Sequence, residues 1–228
     1  MLREIVLDTE TTGLDPRDGH RIVEIGCLEL VNHLPSGRTF HTYVNPEREV
    51  PEDAFRVHGL STGFLADQPV FAEVVEAFLE VVGGEAPLVI HNAAFDLKFL
   101  DAELARLGRD PWPRDRVVDT LALAQRRFPG ASASLDALCR RFGVDASART
   151  RHGALLDSEL LAEVYLHLIG GRQPDLGLTV VAAGAGPAGV FRHHERRHRP
   201  PRPHAPTAAE LAAHAAFLEG LTDPIWRS

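Results

Sequence analysis

The amino-acid sequence predicts an α/β domain with one mixed sheet flanked by helices, followed by a flexible C-terminal tail that ends in a short helix. Apolar residues alternate with a period of two in three early segments, recur every three or four residues in later ones, and become sparse in much of the chain after residue 171. Of the 228 residues, 44% are hydrophobic and 25% are charged, which is typical of a globular protein.

Three β-like segments open the chain. They cover Glu4 to Asp8, Arg21 to Leu30, and Thr39 to Asn45, and Pro46 ends the last of them. Strands that are joined by tight turns pair most simply as an antiparallel meander, so we expect that arrangement here.

The later segments carry the helical period, and glycine or proline residues bound several of them, as expected for helix ends. The predicted helices span Phe71 to Val82, Phe95 to Leu107, Val117 to Phe128, Leu135 to Phe142 and Leu155 to Ile169. Pro87 to Ile90 predicts a buried strand after the first of these helices. A strand, a helix and a strand in succession form a parallel crossover, which predicts a mixed sheet.

Residues beyond 171 differ in composition from the rest. Gly177 to Gly189 is rich in Ala, Gly and Val, and Arg192 to Pro206 is rich in Arg, His and Pro, so we expect a flexible linker over 172–206. Thr207, with Glu210 three residues later, has the pattern of a capped helix start. We therefore divide the chain into a domain over 1–171, a linker over 172–206 and a C-terminal segment over 207–228.

The net charge of the chain argues against one class of function. The 24 basic and 32 acidic residues leave a net charge of -8, and because the part after residue 171 is slightly basic, the first 171 residues carry -10. This charge argues against a nucleic-acid binder that neutralises phosphates with a basic surface.

Cysteines and hydropathy predict the compartment. Cys27 and Cys139 lie in apolar segments with no Cys or His at metal-ligand spacing, which predicts buried free thiols. No apolar run has the roughly 18 residues of a membrane span, and Arg3 and Glu4 closely follow Met1. We expect no signal peptide and a cytoplasmic protein.

Two carboxylates mark the end of the first predicted strand. Asp8 and Glu10 are two residues apart, so they project to the same side of that strand. Like charges this close repel each other unless one group keeps its proton or a cation lies between them, and Mg²⁺ prefers oxygen ligands of this kind. The alternative is a polar strand end at which Asp8 caps a turn.

Two later clusters carry the same chemistry. Asp96 lies in the first turn of a predicted helix, just after His91 and Asn92, where the helix dipole alone would also favour a carboxylate. Asp157 lies among leucines in the last long helix, soon after His152. An aspartate in those surroundings must point away from the core or hold a cation.

Three segments together resemble the motifs of the DEDDh 3′–5′ exonucleases. They are Asp8-Thr9-Glu10-Thr11-Thr12-Gly13, His91-Asn92-Ala93-Ala94-Phe95-Asp96 and His152-Gly153-Ala154-Leu155-Leu156-Asp157, in the same order and with the same internal spacing. Residues 55–60, 134–139 and 163–166 look like connecting segments of the epsilon proofreading subunits of bacterial DNA polymerase III. The similarity extends over residues 2 to about 171.

The resemblance implies a ribonuclease H-like fold and hydrolysis of the last phosphodiester at the 3′ end of DNA. Four acids, Asp8, Glu10, Asp96 and Asp157, would hold two Mg²⁺ or Mn²⁺ ions, and His152 would take a proton from the attacking water. An imidazole, with an ordinary pKa of about 6.5, suits a base at neutral pH. The residues that would contact the 3′-terminal nucleotide are Thr11, Leu14, Val57, His58 and Asn92; for His58, a turn residue beside Gly59 is the alternative.

The tail resembles two partner-binding segments of that family. Gln173, Leu176 and Leu178 look like a peptide that binds the sliding clamp, and Leu178 replaces a frequent aromatic residue, which implies a weak contact. An ordinary linker is the alternative. The segment 207–228 resembles the anchor to the polymerase III alpha subunit, with Leu211, Leu218, Ile225 and Trp226 as contacts, and a self-packing helix is the alternative.

We therefore predict the proofreading exonuclease subunit of a replicative bacterial polymerase, acting on a single-stranded or frayed 3′ end, with no membrane partner. A free-standing DEDDh exonuclease for DNA repair or RNA trimming is one alternative. A non-catalytic scaffold that bridges polymerase and clamp is another.

Overall fold

A computed structural model describes residues 2–147, 149, 151–171 and 205–221, and the chain divides into two units, Met1–Gly177 and Leu178–Ser228. The strands of the first unit are β1 (Arg3–Thr11), β2 (Ile22–Val31), β3 (Leu34–Tyr43), β4 (Leu88–Ile90) and β5 (Val117–Asp119). Its α-helices are α1 (Glu52–His58), α2 (Thr62–Ala66), α3 (Phe71–Val82), α4 (Ala93–Arg106), α5 (Thr120–Arg127), α6 (Leu135–Phe142) and α7 (Ala154–Leu168). Two short 3-10 helices, Pro16–Asp18 and Arg114–Arg116, complete its described elements.

The five strands form one mixed sheet in the order β3-β2-β1-β4-β5. β1, β2 and β3 pair antiparallel, whereas β4 pairs parallel with β1 and with β5. The predicted antiparallel meander, the parallel crossover and the α/β class with a mixed sheet are therefore confirmed. β1 lies in the centre of the sheet, so its carboxyl end is surrounded by other elements.

Helices cover both faces of the sheet. On one face, Ile5 and Leu7 of β1 pack in a core with Phe78 of α3 and Phe99 of α4. On the other face, a second core contains the β1 residue Val6 together with residues of α5, α6 and α7. Because successive strand residues alternate between faces, Asp8 and Glu10 follow Val6 on the side of α7.

The two cysteines belong to these two cores. Cys27 of β2 lies in the first core and Cys139 of α6 in the second, and both are buried free thiols. This prediction is confirmed.

The structure corrects three details of the sequence interpretation. Val117–Asp119 is a short strand and not the start of a helix, because it pairs with β4 and Asp119 caps α5 by accepting from the amide of Leu121. A ten-residue connection that contains a 3-10 helix, rather than a tight turn, joins β1 to β2. The strand predicted to begin at Thr39 begins at Leu34, because it follows a two-residue turn at Asn32 and His33.

Two short helices, α1 and α2, fill the stretch between β3 and α3 for which the sequence predicted no element. α1 ends at His58, and Gly59 continues the chain with φ 77°, in the left-handed region that favours glycine. His58 is therefore the last residue of a helix.

Gly26 of β2 allows α7 to approach the sheet closely. A Cβ atom at this position would clash with the backbone of Ala154 and Leu155, at the start of α7. In addition, the Ser158 hydroxyl donates to the Gly26 carbonyl over 3.1 Å. This contact sets the distance between β2 and the first turn of α7, which contains Asp157.

In the second unit, the described residues form helix α8 (Ala208–Glu219). The Thr207 hydroxyl accepts from the amide of Glu210, and the Glu210 carboxylate accepts from the amide of Thr207, so the predicted capping box is confirmed. Among the described helices, none is long and apolar enough for a membrane crossing.

We expect Gly26→Ala to lower the free energy of unfolding by about 2 kcal/mol or more, since the methyl group must displace the backbone of α7. Gly63→Ala is the matched control: Gly63 lies in helix α2 with open space around its Cα, so this change should be neutral or stabilise by about 0.5–1 kcal/mol. Urea denaturation of both variants measures the difference. Equal stability of the two variants would contradict the close packing of α7.

Candidate active site

A cavity of about 500 Å³ lies where β1 and β4 end. The five residues that the sequence singled out for chemistry line it together: Asp8, Glu10, Asp96, His152 and Asp157. They come from β1, α4, α7 and the loop before α7, so the fold brings together side chains that are far apart in the sequence.

Three of these side chains lie close enough to share one ion. Glu10, His152 and Asp157 each offer a ligand atom, and these atoms lie within 4.8 Å of one another. Asp157 is in the first turn of α7. The amide of His152 donates to the Val57 carbonyl over 3.2 Å, which ties the loop before α7 to α1.

Thr9, which lies between Asp8 and Glu10 in β1, holds Asp96 beside Asp8. One Asp96 carboxylate oxygen accepts from the amide of Thr9 at 3.1 Å and from the Thr9 hydroxyl at 2.7 Å. Thr9 points to the opposite face of β1 from Asp8 and Glu10, so the strand end is surrounded by acids on both faces.

Burial raises the pKa values of three of these acids, and neighbouring like charges add to the effect. Loss of hydration on burial, assisted by the charge of Asp157, raises the pKa of Glu10 to about 8. Burial also raises the pKa of Asp96 to about 7, although its bonds from Thr9 oppose the increase. Burial and the charges of Asp96 and Glu10 raise the pKa of Asp8 well above its usual range.

Asp157 differs from the other three acids. Burial opposes its ionisation, but hydrogen bonds with His152 and Arg149 outweigh that effect and lower its pKa. The guanidinium of Arg149 contacts both Asp157 oxygens, with Nε 2.5 Å from Oδ1 and Nη2 2.6 Å from Oδ2. Arg149 therefore supplies positive charge at the acid cluster.

Sequence reasoning missed Arg149 and the role of Thr9. Arg149 lies in a loop with no periodic pattern, and Thr9 contacts a residue 87 positions away. Neither position carried a signal that spacing could have detected.

The donor set fits a hard divalent cation. Five carboxylates and two imidazoles line the cavity, and carboxylate oxygens are the ligands that Mg²⁺ and Mn²⁺ prefer. Burial and nearby like charges raise the pKa values of Asp8 and Glu10, and the charge of Arg149 opposes the increase. A bound divalent ion would act in the same direction as Arg149.

A second cavity of about 550 Å³ adjoins the first, and Glu10 and Phe95 line both. Four of the predicted nucleotide contacts line the second cavity: Thr11, Leu14, Val57 and His58. The fifth, Asn92, lines the first cavity instead.

His58 is one of the residues that line the second cavity. It is buried, and its Nδ1 accepts from the amide of Leu60 at 3.0 Å. Its Nε2 is also buried and has no hydrogen-bond partner among the described residues. Burial lowers the pKa of His58 to about 4, so the ring is neutral at physiological pH.

Leu14 stands at the rim of the second cavity. It is 77% exposed. The ammonium group of Lys98 donates to the Leu14 carbonyl and lies 4.8 Å from the centre of the Phe95 ring. Lys98 thus connects Leu14 to α4.

Of the predicted partner contacts, only Leu211 and Leu218 lie in the described part of the tail. Both are in α8, where Leu211 is exposed and Leu218 is half-buried. The other predicted contacts, Gln173, Leu176, Leu178, Ile225 and Trp226, lie outside the described residues.

Comparisons with known proteins show which proteins this chain is similar to. A sequence model of the family described as Exonuclease (RNase_T) matches residues 5–165. The DNA polymerase III subunit epsilon of Rickettsia felis is 47% identical over 223 residues, which cover 96% of this chain and 97% of that protein. A structure of Exonuclease X in complex with 5′ overhanging duplex DNA is 26% identical, with a TM-score of 0.59 over 74% of this chain and 91% of its own. The nuclease domain of 3′hExo, a DEDDh family member bound to rAMP, shares the fold at 21% identity, with a TM-score of 0.62 over 73% of this chain and 91% of its own.

We expect Mn²⁺ to raise the melting temperature more at about pH 8.5 than at about pH 6. At the lower pH, Glu10 and Asp96 hold protons that the ion must displace, since their pKa values are about 8 and about 7. Without an ion, the same raised pKa values mean that the folded state binds more protons than the unfolded state, so these two groups reduce stability as pH rises toward 8.

Thermal unfolding with and without Mn²⁺ at both pH values measures this effect. Glu10→Gln should reduce the dependence on pH, whereas Glu80→Gln, on the exposed side of α3, should leave it unchanged. If Mn²⁺ raised the melting temperature equally at both pH values, the result would contradict the protonation of Glu10 and Asp96 at the lower pH.

Proposed function

The chain belongs to the Exonuclease family and, within it, to the DNA polymerase III epsilon subunits, and from that premise we propose how its site removes the last nucleotide from a DNA 3′ end. It is a nuclease that proofreads DNA replication. The reaction proposed is hydrolysis of the 3′-terminal phosphodiester, with release of a deoxynucleoside 5′-monophosphate. One observation carries this proposal. The first cavity, lined by Asp8, Glu10, Asp96 and Asp157 and called the acid cavity below, shares Glu10 and Phe95 with the second cavity.

Members of the DEDDh family depend on divalent metal ions. We propose that two Mg²⁺ or Mn²⁺ ions bind in the acid cavity, with Asp8, Glu10 and Asp157 around one and with Asp8 and Asp96 near the other. When bound, such ions neutralise charge that develops on the attacking and the leaving oxygen of a phosphodiester. The raised pKa values of Asp8, Glu10 and Asp96 support a site that gains stability from added positive charge.

His152 is the proposed base. It stands beside Glu10 and Asp157 and is half-exposed at the cavity, so a water molecule at the ion site would be within its reach. The amide of His152 donates to the carbonyl of Val57, which lines the second cavity. This hydrogen bond connects the proposed base to the proposed nucleotide pocket.

The second cavity is the proposed site of the 3′-terminal nucleotide. His58 would use its unpartnered Nε2 to bind the nucleotide, and Thr11 and Val57 would line the pocket. Leu14, exposed at the rim, would contact the terminal base, because an apolar side chain can pack against the apolar face of any of the four bases. Asn92 would contact the substrate from the acid cavity.

The division into 1–171, 172–206 and 207–228 remains part of the proposal. The Rickettsia felis relative aligns over 223 residues, so its similarity extends beyond the nuclease body into the tail. This extent supports a replication subunit over a free-standing nuclease. The complete set of acids with His152 supports an enzyme over a scaffold.

Two partner contacts are proposed for the tail. The segment 207–228 would bind the polymerase III alpha subunit, and the exposure of Leu211, Phe217 and Leu221 in and just after α8 supports a partner surface. The peptide 173–178 would bind the sliding clamp weakly. Both partners act on DNA in the cytoplasm, which is the compartment proposed for this chain.

We expect Asp8→Ala or Asp157→Ala to abolish hydrolysis while the fold is retained, because each removes an ion ligand. His152→Ala should lower the rate by about 10²–10⁴-fold, the usual contribution of a general base. The assay follows a 3′-labelled single strand with Mg²⁺, on DNA and on RNA, and circular dichroism checks the fold. Asp110→Ala, an exposed acid away from both cavities, is the control. Near wild-type rates in Asp157→Ala would refute the assignment of the site.

We expect deletion of residues 207–228 to preserve hydrolysis of free single strands but to abolish co-purification with the polymerase alpha subunit. Changing Gln173 and Leu176 to Ala should weaken only a pull-down by the clamp. Each variant serves as the control for the other, since the two contacts are proposed to be separate. Retained binding of the alpha subunit by the deleted chain would rule out the C-terminal anchor.

A further inference from the structure

Arg149 lies inside the acid cavity and not on the surface around it. Its side chain is 8% exposed, and that of Asp157 is 4% exposed. The two form a bidentate pair with both nitrogen–oxygen distances between 2.5 and 2.6 Å. Such charge-assisted pairs are among the strongest side-chain contacts in proteins.

The same guanidinium contacts His152. Its Nη2 lies 2.7 Å from His152 Nδ1. His152 Nδ1 also lies 3.2 Å from Asp157 Oδ2. Arg149 therefore contacts both an acid and the proposed base of the site.

Arg149 also has a partner outside the acid cluster. Its Nη1 forms an ion pair with Asp136, whose side chain is 54% exposed in the first turn of α6. Asp136 lines the same cavity but does not belong to the three acidic motifs. The guanidinium thus bridges a buried carboxylate and an exposed one.

A divalent ion and Arg149 compete for the same oxygens. Asp157 has two carboxylate oxygens, and Arg149 occupies both. Each oxygen has a second lone pair, but an ion bound there would lie beside the guanidinium, and two cations at one carboxylate repel each other. Asp136 offers the displaced guanidinium a carboxylate it already touches.

We propose that Arg149 is a positioning residue that holds Asp157 and His152 in the ion-free enzyme and transfers to Asp136 when a divalent ion binds. This inference rests on the metal-dependent function proposed above. Ion binding is then an exchange of one cation for another: the ion gains Asp157, and the guanidinium moves away from His152 toward Asp136. Without an ion, Arg149 keeps both groups in place.

The exchange is tested by Mn²⁺ binding to the full-length chain, measured by titration calorimetry and by the electron paramagnetic resonance signal of free Mn²⁺. Arg149→Gln removes the competitor, so Mn²⁺ should bind about tenfold more tightly. Asp136→Asn removes the alternative partner, so Mn²⁺ should bind more weakly. The double variant should match Arg149→Gln, because Asp136 acts through Arg149. A purely structural role for Arg149 would not produce changes of opposite sign.

One outcome is that the wild-type chain binds Mn²⁺ and degrades DNA, while Arg149→Gln binds Mn²⁺ equally well or more weakly. That result overturns the exchange but not the proposed function. A wild-type chain that binds no Mn²⁺ overturns the proposed function and the exchange with it. If Arg149→Gln does not fold, Asp136→Asn decides by itself: weaker binding supports the exchange, and unchanged binding refutes it.

Discussion

Repulsion among four carboxylates at the end of a central strand is the constraint around which this molecule is organised. Asp8, Glu10, Asp96 and Asp157 line one cavity, and burial raises the pKa of the first three. Protons, a guanidinium or a metal ion can each relieve the repulsion. The ionised carboxylates therefore lower the stability of the folded state when no cation is beside them. A cation that binds there relieves this repulsion, which strengthens its binding.

The fold meets this constraint with contacts between distant segments. Thr9 fixes Asp96 against β1, the absence of a side chain at Gly26 allows α7 to bring Asp157 close, and the Val57 carbonyl holds the loop of His152. No local segment could build the cavity alone. Loss of packing on the β2 side of α7 should therefore affect chemistry and stability together.

Local signals explain what the sequence could predict. The strands of the meander and the longer helices have clear periods, and Thr207 with Glu210 is a local cap. β5 has only three residues, too few for a period, so its pairing with β4 could not be read from the sequence. The motif acids were found because their types and spacing are distinctive. The partners of Arg149 and Thr9 depend on tertiary packing, which spacing does not encode.

Lys98 is the only lysine in the chain. Its ammonium group lies at the turn of Leu14 and beside Phe95, at the edge of the second cavity. Apart from the chain's amino terminus, every acylation or alkylation of an amine in this protein must therefore fall on that edge. A reagent or a cellular acetyl donor that reacts with lysine would remove the charge that supports the Leu14 turn, and would leave the arginine contacts of the acid cavity untouched.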